Sequence, residues 1–233
     1  MFYVTAPVPT PCQKLTNRWL LNGAVSSNSV LDSIGNWNGQ AYGGYSYSNG
    51  AILFDGGSGY VDLNSRTFGG VMSFAFWCKL NSIQRWAPFF DWGSGSALDN
   101  IILYPQDGVT FIVYTGSSNS NSAPSAGVQL QLGVWNHYAV TLDASGNVVL
   151  YINGSSILSR SYSSANRVTR THLYIGKSWW DGDPFLHGAM KDFQFALGTA
   201  FTSAEVAYLA SNVCPVPTGL LIIVLYVHSL SVV

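Results

Sequence analysis

Ser73-Phe74-Ala75-Phe76-Trp77-Cys78-Lys79-Leu80 decides the architecture of this chain. In an extended backbone successive side chains point to opposite faces. Phe74, Phe76, Cys78 and Leu80 therefore share one side, and Ala75, Trp77 and Lys79 the other. The same short alternation recurs on both flanks. Upstream, Ala51-Ile52-Leu53-Phe54 runs into Asp55-Gly56-Gly57, and Tyr60-Val61-Asp62-Leu63 follows, which predicts two strands joined by a tight turn. Downstream, Val148-Val149-Leu150-Tyr151-Ile152 leads into Asn153-Gly154, a pair that supplies the positive φ angles of a two-residue hairpin. Residues 135–142 form another alternating strand, turned back at Asp143-Ala144-Ser145-Gly146, and residues 173–176 and 190–197 supply two more.

Short alternating runs punctuated by Gly, Asn, Asp and Ser from Trp19 to Phe201 signal an all-β sandwich or barrel. One short helix is predicted over residues 202–211, with Ser203 as its cap and Glu205 in the first turn. Residues 117–126 are Ser- and Asn-rich and read as a loop. The expected organisation is an N-terminal flank over residues 1–14, one domain over 15–212, and a C-terminal flank over 213–233.

Composition narrows the class further. Hydrophobic residues make up 48% of the 233-residue chain and charged residues only 9%, against about a quarter in ordinary domains. Four Lys and a single Glu cannot solvate the outer faces of a helical bundle. A net charge of −1 with no Lys/Arg cluster gives no field for a phosphate backbone, so nucleic acid is set aside. A neutral surface rich in hydroxyls, amides and aromatic rings suits sugars or proteins.

Cys12, Cys78 and Cys214 stand far apart, without zinc or redox spacing. Cys12 and Cys214 lie in proline-marked segments outside the predicted body. A bridge between them is the economical reading and implies an oxidising compartment; the alternative is two free thiols. Residues 1–13 carry no basic region or apolar run of a signal peptide, and localisation is read as extracellular or at the cell surface. The tail 219–233 is apolar but shorter than the roughly 20 residues of a spanning helix. A truncated span, an anchor signal and a last strand are the alternatives, and any membrane contact would run through this tail.

Several segments together resemble a known family. Phe54-Asp55-Gly56, Val61-Asp62-Leu63 and Ser73-Phe74-Ala75-Phe76-Trp77 are similar to the opening of laminin-G-like jelly-roll domains. Phe90-Asp91-Trp92-Gly93-Ser94-Gly95, Asp99-Asn100-Ile101, Gly133-Val134-Trp135-Asn136-His137, Leu150-Tyr151-Ile152-Asn153-Gly154 and Ile175-Gly176-Lys177-Ser178 continue the pattern. Asp183-Pro184-Phe185, Gly188 and Asp192-Phe193 resemble its closing strands. The resemblance implies two antiparallel sheets face to face, as in pentraxins, laminin G modules and legume lectins. The fold does not by itself fix a function.

A glycanase needs two carboxylates flanking the scissile bond, and related glucanases carry a Glu-x-Asp-x-Glu strand. Here the single Glu205 falls on the predicted helix, and Asp181 and Asp183 sit in a loop. No Gly-x-Ser-x-Gly elbow is present, His137 between Asn136 and Tyr138 at a strand start reads as structural, and His172 and His187 lack partners at zinc-ligand spacing. The expectation is that the chain is not an enzyme. Calcium is the cation the remaining donors would take. Asp99-Asn100 resembles the calcium-binding pair of pentraxins, and Asp181 and Asp183 occupy the matching acidic loop, although the Glu residues of that loop are missing. The alternative is that Asp99 and Asp183 cap turns. Trp86, Trp92, Trp179 and Trp180 are the aromatic features of the same rim, and Trp92, Trp179 and Trp180 flank its acidic loops. They are candidate sugar platforms, unless Trp92 and one of the Trp179-Trp180 pair plug the sandwich ends. Asn153-Gly154-Ser155 is a formal glycosylation sequon that coincides with the hairpin and reads as a turn.

The sequence thus points to an extracellular recognition module. It would bind glycan or a protein surface through rim loops, with calcium as a candidate cofactor. A noncatalytic structural or adhesion segment of a larger protein is the second reading, and a glycoside hydrolase the third.

Overall fold

The structure is a computed structural model that describes residues 10–23, 28–124 and 127–215; the apolar tail 219–233 lies outside them. In chain order the first elements are α1 (Thr10–Gln13), β1 (Asn17–Trp19), β2 (Ser29–Val30), β3 (Gly39–Tyr42), β4 (Tyr45–Ser48), β5 (Ala51–Asp55), β6 (Tyr60–Asp62), β7 (Arg66–Phe68) and β8 (Met72–Leu80). Then follow β9 (Phe90–Gly93), β10 (Ile101–Tyr104), β11 (Thr110–Thr115), β12 (Ser118–Pro124), β13 (Trp135–Leu142) and β14 (Asn147–Ile152). β15 (Ser155–Ser161), β16 (Val168–Arg170), β17 (His172–Ile175), β18 (His187–Leu197) and α2 (Ser203–Ser211) complete the set.

Two antiparallel sheets face each other. The first runs β15-β14-β13-β8-β18-β5-β4, with β1 paired to β18, and the second runs β12-β11-β10-β9-β17-β6-β3-β2. The small β16-β7 pair stands apart. This is the two-sheet jelly-roll sandwich expected, and the alternation in β8 shows how it closes. Phe74, Phe76, Cys78 and Leu80 all enter the main core, where Phe74 stacks on Phe90 of the other sheet at 4.7 Å. On the opposite face, Ala75 joins Ala139, Tyr151 and Ala196 under Val206 and Leu209 of α2. Large rings from both sheets interlock in this core, and apolar burial is the dominant favourable term in folding.

Three local expectations are corrected. Asp55-Gly56-Gly57 does not close a hairpin: β5 belongs to the first sheet and β6 to the second. The Asp55 carboxylate accepts the main-chain N–H groups of Gly57, Ser58 and Gly59, which turns the chain from one sheet to the other. Residues 118–124 are not a loop but an edge strand paired to β11. The N-cap of α2 is Thr202, not Ser203, in a capping box with Glu205. Asn153-Gly154 behaves as read, with φ of 50° and 81° joining β14 to β15. The Asn153 side chain is spent on the His137 N–H and the Asn136 amide oxygen.

Cys12 and Cys214 are bridged, with Cα atoms 5.5 Å apart, inside the range a disulfide spans. Cys78 is free and wholly buried, and burial pushes its thiol far above the usual range. Arg18 locks the same region. Its guanidinium donates to both Asp192 oxygens and to the Cys214 carbonyl, although the side chain is almost fully buried. No helix among the described residues is long and apolar enough to cross a membrane.

Candidate functional site

On the outer face of the second sheet one carboxyl group is sealed from water. The ladder places Tyr174, Asp91, Ile102 and Ile112 side by side across β17, β9, β10 and β11. Asp91 is completely buried because the loop over residues 177–184 folds across it. Its Oδ1 accepts the Asn100 amide at 2.7 Å, and its Oδ2 accepts the Trp179 main-chain N–H at 2.9 Å. Burial pushes the Asp91 carboxyl up to about 7 against the pull of these donors, and nearby Asp183 adds to the rise.

This anchor sets the two tryptophans that follow Lys177-Ser178. Trp179 turns toward β17, with its ring 5.3 Å from His172 and 5.4 Å from Tyr174. Trp180 turns the other way and meets Tyr114 at 5.8 Å. Ser178 fixes the loop internally: its hydroxyl donates to Asp183 at 2.7 Å and accepts the Trp180 N–H at 3.1 Å, while the Tyr104 side chain also hydrogen-bonds it. Burial beside these carboxyl groups raises Tyr104, which stays a neutral phenol.

The result is a cavity of about 220 Å³ lined by Trp86, Tyr104, Ile112, Tyr114, Trp180 and Asp183. Trp86 is 39% exposed and stands edge-on to Tyr104 at 5.7 Å. Its backbone is held at φ 70°, and its N–H donates to Gln106. A non-Gly residue with a bulky side chain in that region is uncommon, and here it projects an indole over the cavity mouth. Aromatic walls with one aimed carboxylate offer flat faces for C–H groups and an acceptor for hydroxyls.

A second aromatic surface continues beyond Trp179. Tyr42 stacks on Tyr60 at 5.2 Å, and Lys177 Nζ lies 4.6 Å from both the Tyr60 and Tyr174 rings. Next to it Asp62 holds His172 at 2.6 Å, Nδ1 to Oδ2.

The residues expected at the rim divide into two groups. Asn100, Trp179, Trp180 and Asp183 do gather, around Asp91. Trp92 does not: it points inward with no exposure, 5.0 Å from Phe74, because the alternation of β9 that turns Asp91 outward turns Trp92 into the core. Asp99 is also elsewhere. It sits at φ 54°, and its Oδ1 accepts the Gly116 N–H and the Asn166 amide, while its carbonyl accepts the buried Arg170. Asn100 spends its amide oxygen on the Leu98 N–H. Asp181 is exposed on the loop. Among the described residues no three His, Cys, Asp or Glu side chains come together to hold a metal ion. The expected calcium set of Asp99, Asn100, Asp181 and Asp183 is therefore not assembled, since a hard cation needs its oxygens to converge. Asp91 was not among the residues expected at the rim; its partners Asn100 and Trp179 reach it through the sheet and the 177–184 loop.

A family model described as the concanavalin A-like lectin/glucanases superfamily, Laminin_G_3, matches residues 55–207. Curated proteins give no match. Among solved structures, domain 4 of the GH43 extracellular arabinanase AbnA from Geobacillus stearothermophilus, in complex with arabinotriose, is similar at TM-score 0.72 and 23% identity, over 84% of this chain and 98% of that one. A Trypanosoma rangeli sialidase in complex with sialic acid is similar at TM-score 0.63 and 14% identity, over 88% of this chain. A botulinum neurotoxin type C chain, whose cell entry depends on two ganglioside molecules, is similar at TM-score 0.63 and 15% identity, over 84% of this chain. The match spans 33% of the sialidase chain and 51% of the toxin chain. These likenesses overturn the expectation that the chain is not an enzyme. A fold shared with a domain of an arabinanase and with part of a sialidase does not place it outside the glycoside hydrolases, whatever its carboxylate count.

Proposed function

The chain belongs to the concanavalin A-like lectin/glucanase superfamily, and from that premise we propose that it recognises carbohydrate in an extracellular setting. The site is the cavity between Trp86, Tyr104, Tyr114, Trp180 and Asp183, and the ligand is a short neutral oligosaccharide. The observation that carries this reading is the Asp91 anchor. A loop held by a buried carboxyl group presents Trp180 and Asp183 in a fixed arrangement before any ligand arrives. A binding site whose groups are ordered in advance loses less freedom on binding.

The charge pattern selects the ligand class. Asp183 offers a hydrogen-bond acceptor to sugar hydroxyls and repels a carboxylated sugar. Trp180, Tyr114 and Trp86 supply rings for the C–H faces. The arabinotriose held by domain 4 of AbnA makes that trisaccharide the first ligand to try. The Cys12–Cys214 bridge fits an oxidising compartment, where such glycans are met.

A glycan array read with the parent chain and with Trp180→Ala tests the proposal. The parent should retain neutral oligosaccharides, and the variant should lose them. Equal retention by both would reject this site.

A further inference from the structure

A second cavity, of about 450 Å³, lies on the outer face of the other sheet, within the usual range of about 300–1,000 Å³ for small-ligand sites. Helix α2 covers Ala75, Ala139 and Ala196 of this face and ends at Ser211. The next stretch of sheet lines the cavity. There Trp77 pairs with Lys191 on β18 and Trp135 pairs with Lys79 on β8. Trp77, Trp135 and Lys191 form the wall, Asp192 and Arg18 the floor, and residues 210–213 one rim.

The charges at this wall do not balance locally. Arg18 and Asp192 neutralise each other through two hydrogen bonds. Lys191 Nζ lies 4.6 Å from the Trp135 ring and 6.0 Å from Trp77, and Lys79 Nζ lies 5.8 Å from Trp135. Among the described residues neither ammonium group is in any ion pair; the pairs formed are Lys14–Glu205, Arg18–Asp192 and His172–Asp62. Behind Trp77, buried His137 is depressed to about 4 by desolvation, so it brings neither a charge nor a counter-charge at neutral pH. Two of the four lysines in the chain are thus gathered on one pair of indoles, while the cavity's one lining carboxylate, Asp192, is paired to Arg18.

We propose that this cavity is a second sugar site, for a residue that carries a carboxylate, a uronic acid. The ring C–H face lies against Trp135 and Trp77, and the carboxylate pairs with Lys191, with Lys79 adding to the field. Indole walls with ammonium groups lying over the Trp135 ring match a sugar that is apolar on one face and anionic at one substituent. The other site, walled by Asp183, has the opposite preference, so the two divide neutral from acidic sugars.

The test uses calorimetric titration of the full chain with trigalacturonate and with its methyl-esterified, uncharged form. Trigalacturonate should bind, the ester should bind about tenfold more weakly, and the difference should shrink as salt is raised. Lys191→Gln should abolish that difference, and Trp135→Ala should remove binding of both. Trp180→Ala should leave trigalacturonate binding intact, which separates this site from the neutral-sugar cavity. Absence of trigalacturonate binding, equal affinity for the ester, or affinity untouched in Lys191→Gln and Trp135→Ala would each overturn the proposal. Binding of arabinotriose is scored separately and bears only on the other site.

Discussion

Asp91 and Trp179 are 88 residues apart in sequence, yet the Trp179 main-chain N–H donates to the Asp91 carboxyl group at 2.9 Å. That bond closes the 177–184 loop over the sheet and sends Trp179 and Trp180 to opposite sides. Replacing Asp91 with Ala leaves two buried N–H donors, from Trp179 and Asn100, without an acceptor. Such a loss costs about 2–4 kcal/mol, readable as a lowered urea midpoint. Arabinotriose binding should fall with it, because Trp180 and Asp183 lose their support. Unchanged stability and binding in Asp91→Ala would show that the loop is held by other contacts.

The pH dependence of stability should contain two opposed contributions. Asp91 is raised to about 7 in the folded chain, so its contribution is full below its unfolded value of about 3.9 and is lost as pH rises through 7. His137 is depressed to about 4, so its contribution is full above its unfolded value of about 6.5 and is lost as pH falls toward 4. Between pH 4 and 6.5 the two oppose each other in the parent. Asp91→Asn should unmask a melting temperature that rises with pH over this window. His137→Phe should unmask one that falls. Melting curves from pH 4 to 7 check both slopes, and variants that track the parent would contradict the assignment.

Removing the bridge tests what joins the chain ends. Cys12 and Cys214 close a loop with a sequence separation of 202, which on the chain-entropy model stabilises by about 5 kcal/mol at most, less any native strain. The Cys12→Ala/Cys214→Ala variant should therefore unfold at distinctly lower denaturant. The reductant-treated parent should match it. Buried Cys78 should stay unmodified by thiol reagents until the chain unfolds, since burial keeps it protonated.

Asp99 offers a separation between cation binding and structure. Its carboxylate holds the Gly116 N–H and the Asn166 amide. Asp99→Ala should cost about 1–3 kcal/mol, and the loss should be the same in calcium as in chelator. A loss seen only with calcium present would restore a cation to this loop.

Much of the sandwich was written in local pattern. The alternation of β8 and the Asn153-Gly154 turn each depend on neighbouring residues alone, and both stand as read. The error at Asp55-Gly56-Gly57 was one of context: the same residues close a hairpin or hand a chain between sheets, and only the partners of β5 and β6 decide which. The site was legible in part. Trp179, Trp180 and Asp183 share one loop and could be found together. Trp92 was misplaced because an aromatic near acidic residues looks the same whether it faces ligand or core, until strand phase assigns the side. Asp91 went unnoticed because its role is created by Trp179 and Asn100, and no local pattern around residue 91 announces partners that arrive through the sheet.

Eight tryptophans make the central claim directly measurable. The indole N–H resonances of the labelled protein should be followed while neutral trisaccharides, arabinotriose first, are titrated in. Trp86 and Trp180 line the proposed cavity, whereas Trp19, Trp37 and Trp92 are buried in the sandwich core. The account predicts saturable shifts at Trp86 and Trp180, silence at the three core indoles, and loss of the Trp86 response in Trp180→Ala. If no neutral trisaccharide moves Trp86 and Trp180, or if only Trp77 and Trp135 respond, the cavity over Asp91 is not the carbohydrate site.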